Sequence, residues 1–330
     1  MGAEDDLRGA GPAHGRCGAG GRGQGNGERL TTIPTVIVPA HRRPEASRRA
    51  LASLVAAGAE KILFVDDEGS ASGEELAREV PRLEVIRTDR ARWWTGCIVL
   101  GVERALERGD SAVLFFNQDV TCAPDYFGSL AETVSRFPKA LIGSTVLYAH
   151  EPERVWSAGG AIEWWGRGIR GLHHGERVSE LPSEPFDADW LFGMGTYVPR
   201  EAFLEIGLPD ERSFPQAWGD VDFTLRARKA GFRLVVAPAA RLFHEVGEYD
   251  PRVAGAPGTR EYAGWLADPK HNLSLSMHAK IWRRHGPKLL WPFSLAMRTI
   301  VLLLNFLRIR LLFGSRASSP SKKSSSNESR

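Results

Sequence analysis

Two oxygen-bearing side chains two residues apart, Asn117 and Asp119, follow directly on the apolar run Ala112 to Phe116. At the exit of a buried strand such a pair can face one divalent ion, and Mg²⁺ or Mn²⁺ favours oxygen ligands in company with substrate phosphates. Asn117-Gln118-Asp119 can equally close a turn or cap a helix. Far along the chain His244 follows Leu242-Phe243, where its imidazole could complete a metal shell or serve as a structural histidine. A third feature is Trp218-Gly219-Asp220-Val221-Asp222-Phe223, which opens a helical run. Either acid can cap that helix and favour its dipole. A carboxylate partly desolvated beside Trp218 is also equipped to act as a general base.

The elements that must position these groups are legible as alternation. Thr35 to Pro39 reads as a strand, and a helix from Pro44 to about Ala57 can start on that proline. Strands follow at Lys61 to Val65, Leu83 to Ile86 and Ala112 to Phe116, with helices from Glu74 to Val80 and from about Gly96 to Arg108. Continuous apolar strands alternating with helices imply an α/β fold: a Rossmann-like, mostly parallel sheet covered on both faces. In such sheets ligands lie beyond the carboxyl ends of the strands. Those ends carry Pro39, His41 and Arg42, then Asp66 and Asp67, then Asn117 and Asp119. Acids for ribose hydroxyls or a base edge and a cation for phosphates suit a nucleotide, although polar loops alone explain any single position.

Farther on, the pattern predicts a helix over 124–137, a strand over 140–148, loops in the Gly- and Trp-rich stretch 157–184, helices over 199–206 and 220–230, and a strand over 233–237. Tryptophan faces stack on the C–H faces of sugars, which places Trp218 and one of the pair Trp93 and Trp94 in a cleft. Residues 1–30 are Gly-rich and residues 315–330 rich in Ser and Lys, so both read as disordered tails. The match of Gly18, Gly20 and Gly23 to a dinucleotide fingerprint lacks the strand and helix that a phosphate cradle needs.

Across the whole 330 residues, 42% apolar and 25% charged, the composition excludes wholesale disorder, collagen and a polytopic membrane protein. Three dispersed cysteines, Cys17, Cys97 and Cys122, fit neither a zinc site nor a disulfide scaffold and suggest a reducing cytosol. No apolar run follows the initial Met, so no secretory signal is expected. The net charge of +3 conceals an asymmetry: residues 280–330 hold eleven Lys or Arg against Glu328 alone, while the remainder holds 32 bases and 39 acids. The body therefore suits cations, the C-terminal segment suits an anionic surface, and nucleic-acid binding is not expected.

In order along the chain, the strand ending in Pro39-Ala40-His41-Arg42-Arg43, then Val65-Asp66-Asp67, Trp94-Thr95-Gly96, Asn117-Gln118-Asp119-Val120, Gly193-Met194-Gly195, Gly219-Asp220-Val221-Asp222 and His244 resemble glycosyltransferase family 2. Within it the resemblance is to bacterial rhamnosyltransferase-like and galactofuranosyltransferase-like members with a GT-A fold, over about residues 33–285. The resemblance implies inverting transfer from a dTDP- or UDP-linked sugar to a glycan or polyprenyl-linked acceptor in cell-surface polysaccharide synthesis, with a divalent cation on the leaving diphosphate. By position, Asp220 is the implied catalytic base, with Gly219 where the family has a further acid. Asp119 and His244 are the implied metal ligands, and Asn117 replaces the first acid of the family's D-x-D. Pro39, His41, Arg42, Asp66, Asp67 and Asn117 are expected around the nucleotide, and Trp94, Gly195, Trp218 and Asp222 around the acceptor. Arg42, or Arg90 and Arg92, can supplement the metal's charge.

Boundaries are expected at 31–250 for the catalytic domain, divided near 120 into nucleotide-sugar and acceptor halves, and at 251–314 for a helical membrane-associating segment. From Leu289 to Phe313 no charge-free run exceeds nine residues, against the ~20 that a span needs. Amphipathic helices lying on anionic lipid fit better, which would put the protein in the cytoplasm, peripheral on the inner face of the cell membrane. Packing on the domain or a dimer interface is the alternative for this segment. Two other functions remain in view: a sugar-nucleotide nucleotidyltransferase, for which residues 39–43 lack a glycine-rich loop, and a catalytically silent carbohydrate- or nucleotide-binding module, which Asn117 and Gly219 would suit.

Overall fold

The computed structural model describes residues 33–67, 72–80, 82–88, 91–165, 168–245 and 256–313. Its first half alternates β1 (Thr35–Ala40), α1 (Pro44–Ala56), β2 (Ile62–Asp66), α2 (Ser72–Glu79), β3 (Leu83–Arg87), α3 (Trp93–Glu107) and β4 (Ala112–Phe115). β1 shows why these strands have no polar face. Val36 and Val38 share a core with Leu51 of α1 and Leu76 of α2, whereas Ile37 shares the opposite core with Cys97, Ile98 and Val102 of α3. Successive residues point to opposite sides, and helices cover both. The order β3-β2-β1-β4 is parallel throughout. Winding therefore reverses between β1 and β4, and a ligand crevice opens at such a switch point.

The second half continues with β5 (Val120–Cys122), α4 (Tyr126–Arg136), β6 (Ala140–Tyr148), β7 (Glu151–Ala158), β8 (Gly160–Glu163), β9 (Gly168–Gly171), β10 (Phe186–Asp187), β11 (Thr196–Pro199), α5 (Arg200–Ile206), α6 (Gly219–Lys229) and β12 (Arg233–His244). β11 inserts antiparallel between β4 and β6, and β12 runs parallel to β6. One mixed sheet of ten strands results among the described residues, its longest ladder the parallel pair β6–β12. Among the described residues three helices follow: α7 (Thr259–Ala267), α8 (Leu275–His285) and α9 (Trp291–Phe313). α8 builds a third core, in which Met277, Ile281 and Trp282 join Ile169, Trp190, Val221 and Leu225.

Element boundaries fall close to the sequence expectation, with three differences. α3 starts at Trp93 rather than near Gly96, because the Asp67 carboxylate accepts the amides of Arg92 and Trp93 at 2.8 and 3.1 Å and fixes the first turn. The stretch expected as loops contains the end of β7 and the antiparallel hairpin β8–β9. Its four-residue strands are too short and too rich in glycine to show a period of two. β12 does not stop at Ala237 but runs to His244 across a register shift between Ala237 and Arg241. Pro238, which has no N–H to donate, lies in that interval. The two tails and Arg90 lie outside the described residues.

Candidate active site

A cavity of about 630 Å³ opens at the β1/β4 crevice, lined among others by Pro39, His41, Arg42, Asp67 and Asp119. Gln118 ties its two sides together: its side-chain oxygen accepts the His41 amide at 3.1 Å and its amide nitrogen donates to the His41 carbonyl at 3.1 Å. Asp67 faces this cavity while it caps α3 and accepts the Thr88 hydroxyl at 2.9 Å. Asp66 does not reach the cavity. It is fully buried beneath α2, where a Cβ on Gly73 would lie 2.8 Å from its Oδ2. Arg92 is drawn into an ion pair with Glu211 at 3.3 Å.

At the cavity edge Asp119 Oδ2 lies 2.9 Å from Arg43 and 3.9 Å from His244 Nε2. β5 and β12 make this meeting: Val120 pairs with His244 in their antiparallel ladder. Burial lowers the His244 pKa, against the pull of Asp119, so its imidazole is held neutral with a lone pair to offer. Among the described residues no three His, Cys, Asp or Glu side chains come together as a metal cluster. A carboxylate and a neutral imidazole are nonetheless a donor set that Mg²⁺ or Mn²⁺ accepts when phosphates complete the shell. Asp119 and His244 would hold the ion, with Arg43 on the same carboxylate.

A second cavity, of about 370 Å³, lies beyond Trp94 and Gln216, which line both. Asn117 is here and not beside Asp119: its Oδ1 accepts the Trp94 indole N–H at 2.8 Å. Gly193 permits this placement, since any Cβ there would collide with the Trp94 ring. Trp218 and Asp220 form part of the opposite wall. Asp220 accepts the Gly193 amide through Oδ2 and the Val221 amide through Oδ1, both at 2.8 Å. Burial raises its pKa and outweighs those amides, which pull the other way. A carboxylate held by fixed donors, partly desolvated and still open to a cavity, is the arrangement of a general base.

Asp222 and Gly195, expected at the acceptor, are elsewhere. Asp222 is fully buried, 3.0 Å from Arg226, 2.9 Å from Arg284 and 2.8 Å from His285. Desolvation opposes its charge, but His285 and the arginines prevail and bring its pKa down to about 2. Gly195 packs inward at φ +71°, against Ser144 and Leu242. Gly219 stands where α6 meets α3: any Cβ would strike Thr95 Oγ1, so no acid fits there. Gln216, Arg170 and Arg298 also line the second cavity, and no local pattern in the chain marks them for it. Arg298 sits within an apolar helix remote in sequence from the other lining groups.

Residues 35–194 match glycosyl transferase family 2. A dTDP-rhamnosyl transferase, RfbF of Shigella flexneri, is 20% identical over 194 residues, 59% of this chain and 62% of that protein. The crystal structure of GalNAc-T7 with UDP, GalNAc and Mn²⁺ superposes with a TM-score of 0.53 at 15% identity, covering 64% of this chain and 44% of the other. The chain thus spans less than two thirds of either protein's length. At this identity the structural match shows the fold, a GT-A arrangement of mixed sheet and flanking helices.

Proposed function

We propose, from the match of residues 35–194 to glycosyl transferase family 2, that the protein is an inverting, divalent-metal-dependent glycosyltransferase, moving a rhamnose-like sugar from a dTDP- or UDP-linked donor to a glycan or polyprenyl-linked acceptor in cell-surface polysaccharide synthesis. The observation that carries this proposal is Asp220. It lies in a cavity separated by Trp94 from the crevice that holds Asp67 and Asp119, so a base and a diphosphate site flank one aromatic wall.

The β1/β4 crevice takes the nucleoside diphosphate, with Arg42 and Arg43 toward its phosphates and Asp67 toward the nucleoside. The sugar then lies against Trp94, with the acceptor beside Trp218 and Asp220. Asp220 accepts the proton of the acceptor hydroxyl as that oxygen attacks the anomeric carbon from the face opposite the diphosphate. The amides of Gly193 and Val221 keep the carboxylate in position through the step. A divalent ion on Asp119 and His244 would supply Lewis-acid stabilisation of the departing diphosphate. The leaving group is good enough that no general acid is required.

Asp220→Asn tests the assignment. Nucleotide-sugar binding should survive, and turnover should fall by about 10²- to 10⁴-fold; unchanged turnover would remove Asp220 as the base. A cytoplasmic protein peripheral on an anionic membrane face completes the proposal, supported by the outer surface of α9, where Leu303, Leu304, Leu307 and Leu311 are exposed. No helix among the described residues is long and apolar enough to cross a membrane.

A further inference from the structure

Three guanidinium groups line one path out of the Asp220 cavity. Arg170 of β9 and Arg298 of α9 are in the wall of that cavity. Arg170 also lines a neighbouring cavity of about 630 Å³, together with Arg308 of α9. Gly171 and Phe192 are common to both, so the two spaces adjoin along this wall. Nearby acids offset only part of this charge, Glu163 by pairing with Arg170 and Asp220 from the same cavity wall. Glu163 approaches Arg170 Nη2 at 3.3 Å on a half-exposed surface, and Glu176 is engaged by His173 at 2.7 Å. Arg298 lies against the Gly168 backbone, where a Cβ would come within 2.8 Å of its Cδ. Burial lowers the pKa of Arg298 from its ordinary value, and an anion beside the guanidinium would relieve that cost.

A planar guanidinium matches phosphate with paired donors, and cations at this spot have no part in deprotonating a hydroxyl. We infer that Arg170 and Arg298 hold a phosphoryl group carried by the acceptor, with Arg308 next along the same path. This deepens the assignment of the Asp220 cavity to the acceptor and rests on it. α9 itself points to a lipid carrier. At 100° per residue, Arg298, Leu302 and Asn305 fall on the face opposite Ile300, Leu303, Leu304 and Leu307. One helix thus offers a cation to the cavity and an exposed apolar stripe to the outside.

Calorimetric titration of the full chain tests the inference. Nucleoside diphosphate is first titrated alone, and its failure to bind would count against the proposed function rather than the phosphoryl site. With that ligand saturating, farnesyl diphosphate, farnesol and inorganic diphosphate are compared. Farnesyl diphosphate should bind at least about tenfold more tightly than farnesol, and Arg170→Gln and Arg298→Gln should each weaken it about tenfold. Arg298→Lys should recover part of the loss. Inorganic diphosphate binding as well as farnesyl diphosphate, with the same dependence on the arginines, would uphold the site and assign it a soluble phosphate. Farnesol binding equally well, or both Gln variants binding farnesyl diphosphate like the parent, would overturn it. Thermal melting checks folding; if Arg298→Gln does not fold, Arg170→Gln and the exposed Arg308→Gln carry the same comparison.

Discussion

Asp220 and Asp222 are two residues apart, and their environments separate them completely. On α6 that spacing turns the side chains by about 200°, so Asp220 faces a cavity and Asp222 faces α8. The sequence shows two acids at a helix start and no sign of which side is open. The pKa directions diverge accordingly, raised for Asp220 by burial and lowered for Asp222 by its cationic partners. A base works ionised, so turnover should rise with pH through the Asp220 pKa, and the acid limb of the rate profile should lie above the ordinary carboxylate value of about 4. That limb should be absent from the residual activity of Asp220→Asn. An unchanged limb in the variant would assign it to another group. Asp119 and His244 were legible as ends of strands. Gly219 was not, because its reason is the approach of Thr95 from another helix.

Helix α8 depends on the same short segment of α6. Arg284 and His285 reach Asp222 from the end of α8, and Arg284 continues to Asp210 at 2.9 Å. Removing the charge from a buried partner leaves the others uncompensated, so Asp222→Asn should cost on the order of 3 kcal/mol of stability at pH 7. The sign of the pH dependence follows from a depressed pKa. Stability from Asp222 is fully present above its unfolded value near 4 and is lost as pH falls toward about 2. Urea midpoints measured from pH 7 down to pH 2 should show this acid-sensitive component in the parent and not in Asp222→Asn. An equal midpoint for both proteins at pH 7 would mean that the cluster adds nothing to the fold. At this scale strands and helices of the first half were legible, because burial on both faces leaves continuous apolar runs. The β8–β9 hairpin was not, because its glycines fit close contacts with Trp190 and Arg298 that only the folded chain supplies.

Charge is divided across the molecule as the composition implied, with an acidic excess before residue 280 and a basic excess after it. What composition could not reveal is how α9 is turned. Leu302 and Phe306 are buried, Phe306 stacks on Tyr262 of α7 at 4.4 Å, and Trp291 and Leu295 pack against the core that α8 builds, so α9 is docked on both helices. Its other face exposes Leu304 at 59% and Leu311 at 87%, with Arg308 and Arg310 about 80° to either side of the stripe. An apolar stripe edged by arginines suits the headgroup region of an anionic bilayer, where each basic residue near the surface adds about 1 kcal/mol. The full chain should therefore sediment with phosphatidylglycerol vesicles and much less with phosphatidylcholine alone, and added salt should release it. Leu304→Glu with Leu307→Glu should reduce the bound fraction about tenfold, while leaving nucleotide affinity unchanged because the crevice lies between β1 and β4. If the double variant sediments like the parent, the stripe covers something other than lipid, and a second copy of the chain, visible as a dimer in solution, becomes its occupant.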